Sequence, residues 1–102
     1  MYFEDKMEYL CEFAIEYIDN YKDMKVVDED YSCDEFADID RCIKIIIEKL
    51  QIDKKDIEIS EEIYDNHITK VISFRLNGRL CEFYEIIGND NDYLGVRLMP
   101  FA

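Results

Sequence analysis

Asn77-Gly78 separates two runs of alternating apolar residues, the composition of a two-residue β-hairpin turn. Such a turn needs positive φ at both central residues, which asparagine and glycine adopt at least cost. A type I′ loop then sets the register. Leu76 faces Arg79, Phe74 faces Cys81, Ile72 faces Phe83, Lys70 faces Glu85 and Ile68 faces Ile87. One side of the hairpin carries Ile68, Ile72, Phe74, Cys81, Phe83 and Ile87, interrupted by one pair of opposite charge. An apolar face of that size has to be covered by another layer.

The period of 2 extends on both sides of the hairpin. Ile57, Ile59 and Ile63 alternate with Glu58, Ser60, Glu62 and Tyr64, which predicts a half-buried strand, and Asp65-Asn66-His67 predicts a turn. Gly88-Asn89-Asp90-Asn91-Asp92 reads as a loop. Leu94, Val96 and Leu98 share one face of a last strand over 93–99, and Pro100 suits the end of an edge strand.

Before residue 57 the period is 3.6. Phe3, Met7, Leu10, Ala14, Tyr17, Ile18 and Tyr21 fall within an arc of roughly 100° on a helix over 3–24. Residues 25–35 read as a connection, and Ser32 with Glu35 fits a capping box that opens a second helix over 33–50. Phe36, Ile39, Ile43, Ile46, Ile47 and Leu50 share its apolar face. Ile45 points off that face, toward either a second covering surface or an interface. The expected fold is a single α+β domain over 1–102. An acidic helical half (1–50) packs two helices on one face of a four-stranded antiparallel meander (57–101), in the order α-α-β-β-β-β.

Charge is concentrated at one end. The net charge is −13, and residues 1–40 hold 14 acids against 3 bases. Such a chain repels phosphate, which argues against direct binding to nucleic acid or anionic lipid and in favour of basic protein surfaces. On the first helix, Asp5, Glu8, Glu12, Glu16, Asp19 and Asp23 fall on the side opposite the apolar face. Acids three or four residues apart destabilise a helix by a few tenths of a kcal/mol per pair, so helix stability does not account for the row. Tyr2, Tyr9 and Phe13 flank it, with core-boundary packing as the plainer role for Phe13. Asp28, Glu29, Asp30, Asp34 and Glu35 continue the acidic run.

No catalytic constellation is legible. His67 is the single imidazole and falls in the expected turn. No Walker A or G-x-G-x-x-G pattern occurs. Asn89 to Asp92 offers oxygen ligands of the calcium type but lacks the glycine and distal glutamate of an EF-hand. Cys11, Cys33, Cys42 and Cys81 form no C-x-x-C pair, and reduced thiols are expected. No cofactor or metal is anticipated. No run approaches about 18 apolar residues, so no membrane span is expected. The start, Met1-Tyr2-Phe3-Glu4-Asp5, is acidic where a signal peptide is basic, which points to the cytoplasm. Abundant isoleucine, aspartate, tyrosine and lysine suggest an AT-rich genome, bacterial or phage.

By its size, the helix row and the run Asp28-Glu29-Asp30, the chain resembles the small acidic inhibitors made by phages, anti-CRISPR proteins and other DNA mimics among them. That resemblance implies a stoichiometric, non-enzymatic inhibitor acting in the host bacterial cytoplasm. It would occlude the nucleic-acid site of a basic effector such as a CRISPR nuclease. The expected contacts are Asp5, Glu8, Glu12, Glu16, Asp19, Asp23, Asp28, Glu29, Asp30, Asp34, Glu35, Tyr2 and Tyr9. An immunity protein against a basic toxin nuclease is the alternative. A further one is an oligomeric structural protein, with charge serving solubility and Ile45, Val71, Leu80 and Tyr84 forming a dimer contact. Monomer and homodimer are both compatible with the sequence.

Overall fold

The computed structural model describes residues 3–20, 27–33, 39–88 and 92–99. Its elements are α1 (Phe3–Asn20), β1 (Val27–Cys33), α2 (Ile39–Leu50), a 3-10 turn (Lys54–Asp56), β2 (Glu58–Ile63), β3 (His67–Leu76), β4 (Arg79–Gly88) and β5 (Asp92–Leu98). The fold is α+β, two helices with one antiparallel sheet. The sheet has five strands, not four, in the order β1-β5-β4-β3-β2.

The central hairpin has the expected register at every pair from Leu76↔Arg79 to Ile68↔Ile87. Asn77 and Gly78 both take positive φ, 51° and 84°. Ile72, Phe74, Cys81 and Phe83 are buried on one side, joined by Leu94, Val96 and Leu98 of β5. The same cluster contains Phe3, Met7, Leu10, Cys11 and Ala14 of α1 and Cys42, Ile43, Ile46 and Leu50 of α2. Burying each large aliphatic or aromatic side chain contributes about 1.5–3 kcal/mol, and this cluster is the core. Ile45 packs against it half-buried, so the neighbouring layer covers part of the residue that lies off the helix stripe.

Several expectations are corrected. Residues 27–33, read as a connection, form β1, which pairs along its length with β5. Ser32 therefore lies in a strand and caps no helix, Cys33 ends that strand, and the described part of α2 is Ile39–Leu50, with Glu35 of the expected capping box outside the described residues. Pairing with β1 places β5 inside the sheet, so the strand before Pro100 is not an edge. Finally, β2 is exposed at all six positions rather than half-buried. Alternation sets which side chains share a face but not whether a layer lies over it, and the helical layer ends short of β2. His67, expected in a turn, is the first residue of β3 and pairs with Gly88.

Two side chains tie the sheet together. Arg79 is fully buried, and its Nε–H donates to the Met99 carbonyl at 2.8 Å. Tyr84 is buried on the sheet face turned away from the helices, with its ring over Gly95 of the neighbouring strand. The Tyr84 hydroxyl donates to Asp28 Oδ1 on β1 at 2.5 Å, and the Arg97 guanidinium lies 5.5 Å from its ring centre. Burial and, after it, the bond to Asp28 hold the Tyr84 hydroxyl well above the ordinary tyrosine value.

Candidate partner-binding surface

The α1 helix carries six acids and one lysine. Its apolar stripe is buried, and this fixes the direction of the opposite side. Asp5, Glu8, Glu12 and Glu16 are all exposed there. At 1.5 Å per residue the row from Asp5 to Glu16 extends about 16 Å along the helix axis. Tyr9 follows Asp5 by four residues and precedes Glu12 by three, which puts an aromatic ring, half-exposed at 50%, on the flank of the row. Phe13 sits at the core boundary, its ring 4.4 Å from that of Tyr17.

The two flanks of α1 differ. On one side α2 supplies cations. Arg41 forms an ion pair with Glu4 and lies over the Phe3 ring, and Lys49 Nζ is 3.6 Å from Glu8 Oε1. These pairs are about half exposed and contribute at most about 1 kcal/mol each. On the other side Lys6 Nζ donates to the Ser32 carbonyl of β1 at 2.5 Å, so the lysine nearest the row is turned toward the sheet. Asp5 and Glu12 have no ion pair among the described residues.

The acids of β1 do not prolong the row. Positions facing Leu94, Val96 and Leu98 lie on the helix side, so Glu29 and Tyr31 point toward α1, and Glu29 is half-buried. Asp28 and Asp30 point to the opposite face, opposite Arg97 and Gly95, and are exposed. The expected contacts therefore divide into a helix row and a strand pair separated by the thickness of the sheet edge. For Asp19 the backbone alone is described, as part of α1. Tyr2, Asp23, Asp34 and Glu35 lie outside the described residues.

Sequence reasoning did not find the neutralising role of Arg41 and Lys49. Both are on α2, and only the tertiary packing brings them beside α1. The Tyr84–Asp28 bond, 56 residues apart in the chain, was hidden for the same reason. Val71 and Tyr84, candidates for an apolar dimer contact, are 5% and 6% exposed and offer little free surface.

No group of three or more histidine, cysteine or carboxylate residues is placed to hold a metal among the described residues. His67 Nδ1 is 2.6 Å from Asn66 Oδ1, and its ring stacks on Tyr64 at 4.5 Å. Cys11, Cys42 and Cys81 are buried. Burial pushes the Cys11 thiol from 9.0 up to about 12 and raises Cys81 as well, the opposite of what a nucleophilic cysteine requires. A depression of about 260 Å³ lies among Asp56, Glu58, Ser73, Phe74, Arg75 and Leu80. No helix of the described residues is long and apolar enough to cross a membrane. Comparison with protein-family models, with curated proteins and with solved structures returned no match.

Proposed function

We propose that this protein is a stoichiometric inhibitor that binds a basic nucleic-acid-binding protein through the exposed acidic side of α1. The observation that carries the reading is the row Asp5, Glu8, Glu12 and Glu16, exposed on a helix whose other side is anchored in the core. A rigid rod of carboxylates enters a groove lined by lysine and arginine with little ordering cost, and it releases the same counterions that nucleic acid would. Acids three or four residues apart advance about 4.5–6 Å along the axis, against 3.4 Å per charge on one DNA strand. The row is thus the sparser of the two, and charge alone makes a weak competitor. Tyr9, exposed beside the row, supplies the apolar anchor that such an interface needs. An anti-CRISPR or other phage anti-defence protein acting on a nucleic-acid-guided effector fits this chemistry.

Immobilised protein exposed to bacterial lysate at low and at high salt tests the reading. The expected result is a basic nucleic-acid-binding protein eluted by salt and identified by mass spectrometry. Retention of no such protein at low salt counts against the proposal. An immunity protein for a basic toxin nuclease is the second reading, favoured if the captured protein is encoded directly upstream.

A further inference from the structure

The two ends of the sheet are finished differently. At β1 the edge lies beside α1, and the Ser32 carbonyl is occupied by Lys6. At β2 all six residues are exposed. Ile59 and Ile63 are exposed by 57% and 75%, values that an aliphatic strand residue reaches only where no layer covers it. The phase of the backbone hydrogen bonds at this edge follows from two independent points. The Tyr64 N–H donates to the His67 carbonyl at 2.8 Å, so by antiparallel alternation Glu62, Ser60 and Glu58 bond to β3. From the other side, Leu76 pairs with Arg79 across the two-residue turn, which turns Thr69, Val71 and Ser73 toward those same three residues. The N–H and C=O groups of Ile59, Glu61 and Ile63 therefore point away from the sheet.

Free edges are ordinarily blunted by proline, by charged side chains, lysine above all, or by a bulge. β2 has no proline and no lysine, and its register runs unbroken from Glu58 to Ile63. What it does carry is Glu58, Glu61 and Glu62, and these decide the occupant. A second copy pairing antiparallel about a two-fold axis over five or six residues of β2 meets a conflict in each register. Centring on Ser60 sets Glu58 against Glu62 twice. Centring on Glu61 sets that residue against itself. The register between them places each isoleucine opposite a glutamate. Like charges directly opposite one another are destabilising.

We infer that β2 is a docking edge for an extended basic segment of a partner protein, which adds to the sheet as a sixth strand. Its backbone pairs with Ile59, Glu61 and Ile63. It places β-branched residues opposite Ile59 and Ile63 and lysine or arginine opposite Glu58, Glu61 and Glu62. The inference does not depend on the α1 row, since β2 and β1 are at opposite ends of the sheet.

The probe is a labelled peptide, Ser-Val-Lys-Lys-Thr-Val-Lys-Ser, titrated into the full chain by fluorescence anisotropy. It is compared with a scrambled peptide of the same composition and with a form N-methylated at the edge-facing amides. Glu61→Pro in the protein removes an outward donor without removing a bond to β3. The expected result is saturable binding of the first peptide, with the N-methylated peptide and the Glu61→Pro variant each weaker by about tenfold or more. The N-methylated peptide keeps the test intact if Glu61→Pro does not fold. No binding, equal binding of the scrambled or N-methylated peptide, or a dimer of the chain that Glu61→Pro dissociates would each overturn the inference.

Discussion

Gly95→Ala tests the packing that holds the acidic edge strand to the sheet. A Cβ at Gly95 would overlap the Tyr84 ring well inside van der Waals contact. The ring cannot step aside freely, because its hydroxyl is bonded to Asp28 and Arg97 lies over its face. Moving it forfeits part of the burial of a large aromatic, about 1.5–3 kcal/mol. It also loses one hydrogen bond, about 1 kcal/mol because exposed Asp28 regains water. Against this, alanine is intrinsically better than glycine in a strand by about 0.5–1 kcal/mol. The net expectation is a loss of about 2–3 kcal/mol. For a domain near 100 residues that lowers Tm by roughly 8–24 °C. Urea and thermal unfolding followed by circular dichroism read the change. The Tyr84→Ala background supplies the control, where the same substitution becomes neutral or stabilising. The coupling between the two positions is then about 2 kcal/mol or more. If Gly95→Ala is neutral with Tyr84 present, the ring does not lie over Gly95 and the account of how β1 is anchored is wrong.

Two further predictions concern stability. Burial holds the Cys11 proton in the folded state to about 12 against an ordinary 9.0, so the unfolded chain releases it first. The contribution of Cys11 is fully present below pH 9 and is lost as pH rises toward 12, by up to about 1.4 kcal/mol per unit. Urea midpoints across this range should decline less steeply in Cys11→Ala, and equal slopes would remove Cys11 as the cause. Gln51 ends α2 with φ of 55°, its N–H bonded to the Ile47 carbonyl. Glycine meets that left-handed position without strain, so Gln51→Gly should stabilise the protein by about 1 kcal/mol in urea unfolding. A loss would show that the Gln51 side chain contributes more than its backbone strain costs.

The hairpin was legible to the residue because two local signals agree there. Asn77-Gly78 demands one turn, and that turn pairs Phe74 with Cys81 and Ile72 with Phe83. The outward direction of Asp5, Glu8, Glu12 and Glu16 was legible for a related reason: Phe3, Met7, Leu10 and Ala14 claim the other side. β1 was hidden by its charge. Of the alternate positions Val27, Glu29, Tyr31 and Cys33, one is acidic, and Asp28-Glu29-Asp30 reads as loop. The alternation of Val27, Tyr31 and Cys33 was the signal available. The exposure of Ile59 and Ile63 was illegible in principle, because it depends on where α1 and α2 end above the sheet. The burial of Arg79 likewise depends on backbone carbonyls near the end of β5 that no local pattern announces.

The most direct test of the acidic row is displacement of nucleic acid from a captured partner, by the wild type and by the Glu8→Lys/Glu12→Lys/Glu16→Lys triple variant. The account predicts stoichiometric displacement by the wild type that weakens as salt rises. The triple variant should displace nothing while keeping native circular dichroism and a cooperative unfolding transition. Equal displacement by the variant, or a ternary complex in which partner, nucleic acid and wild-type protein remain bound together, would contradict it.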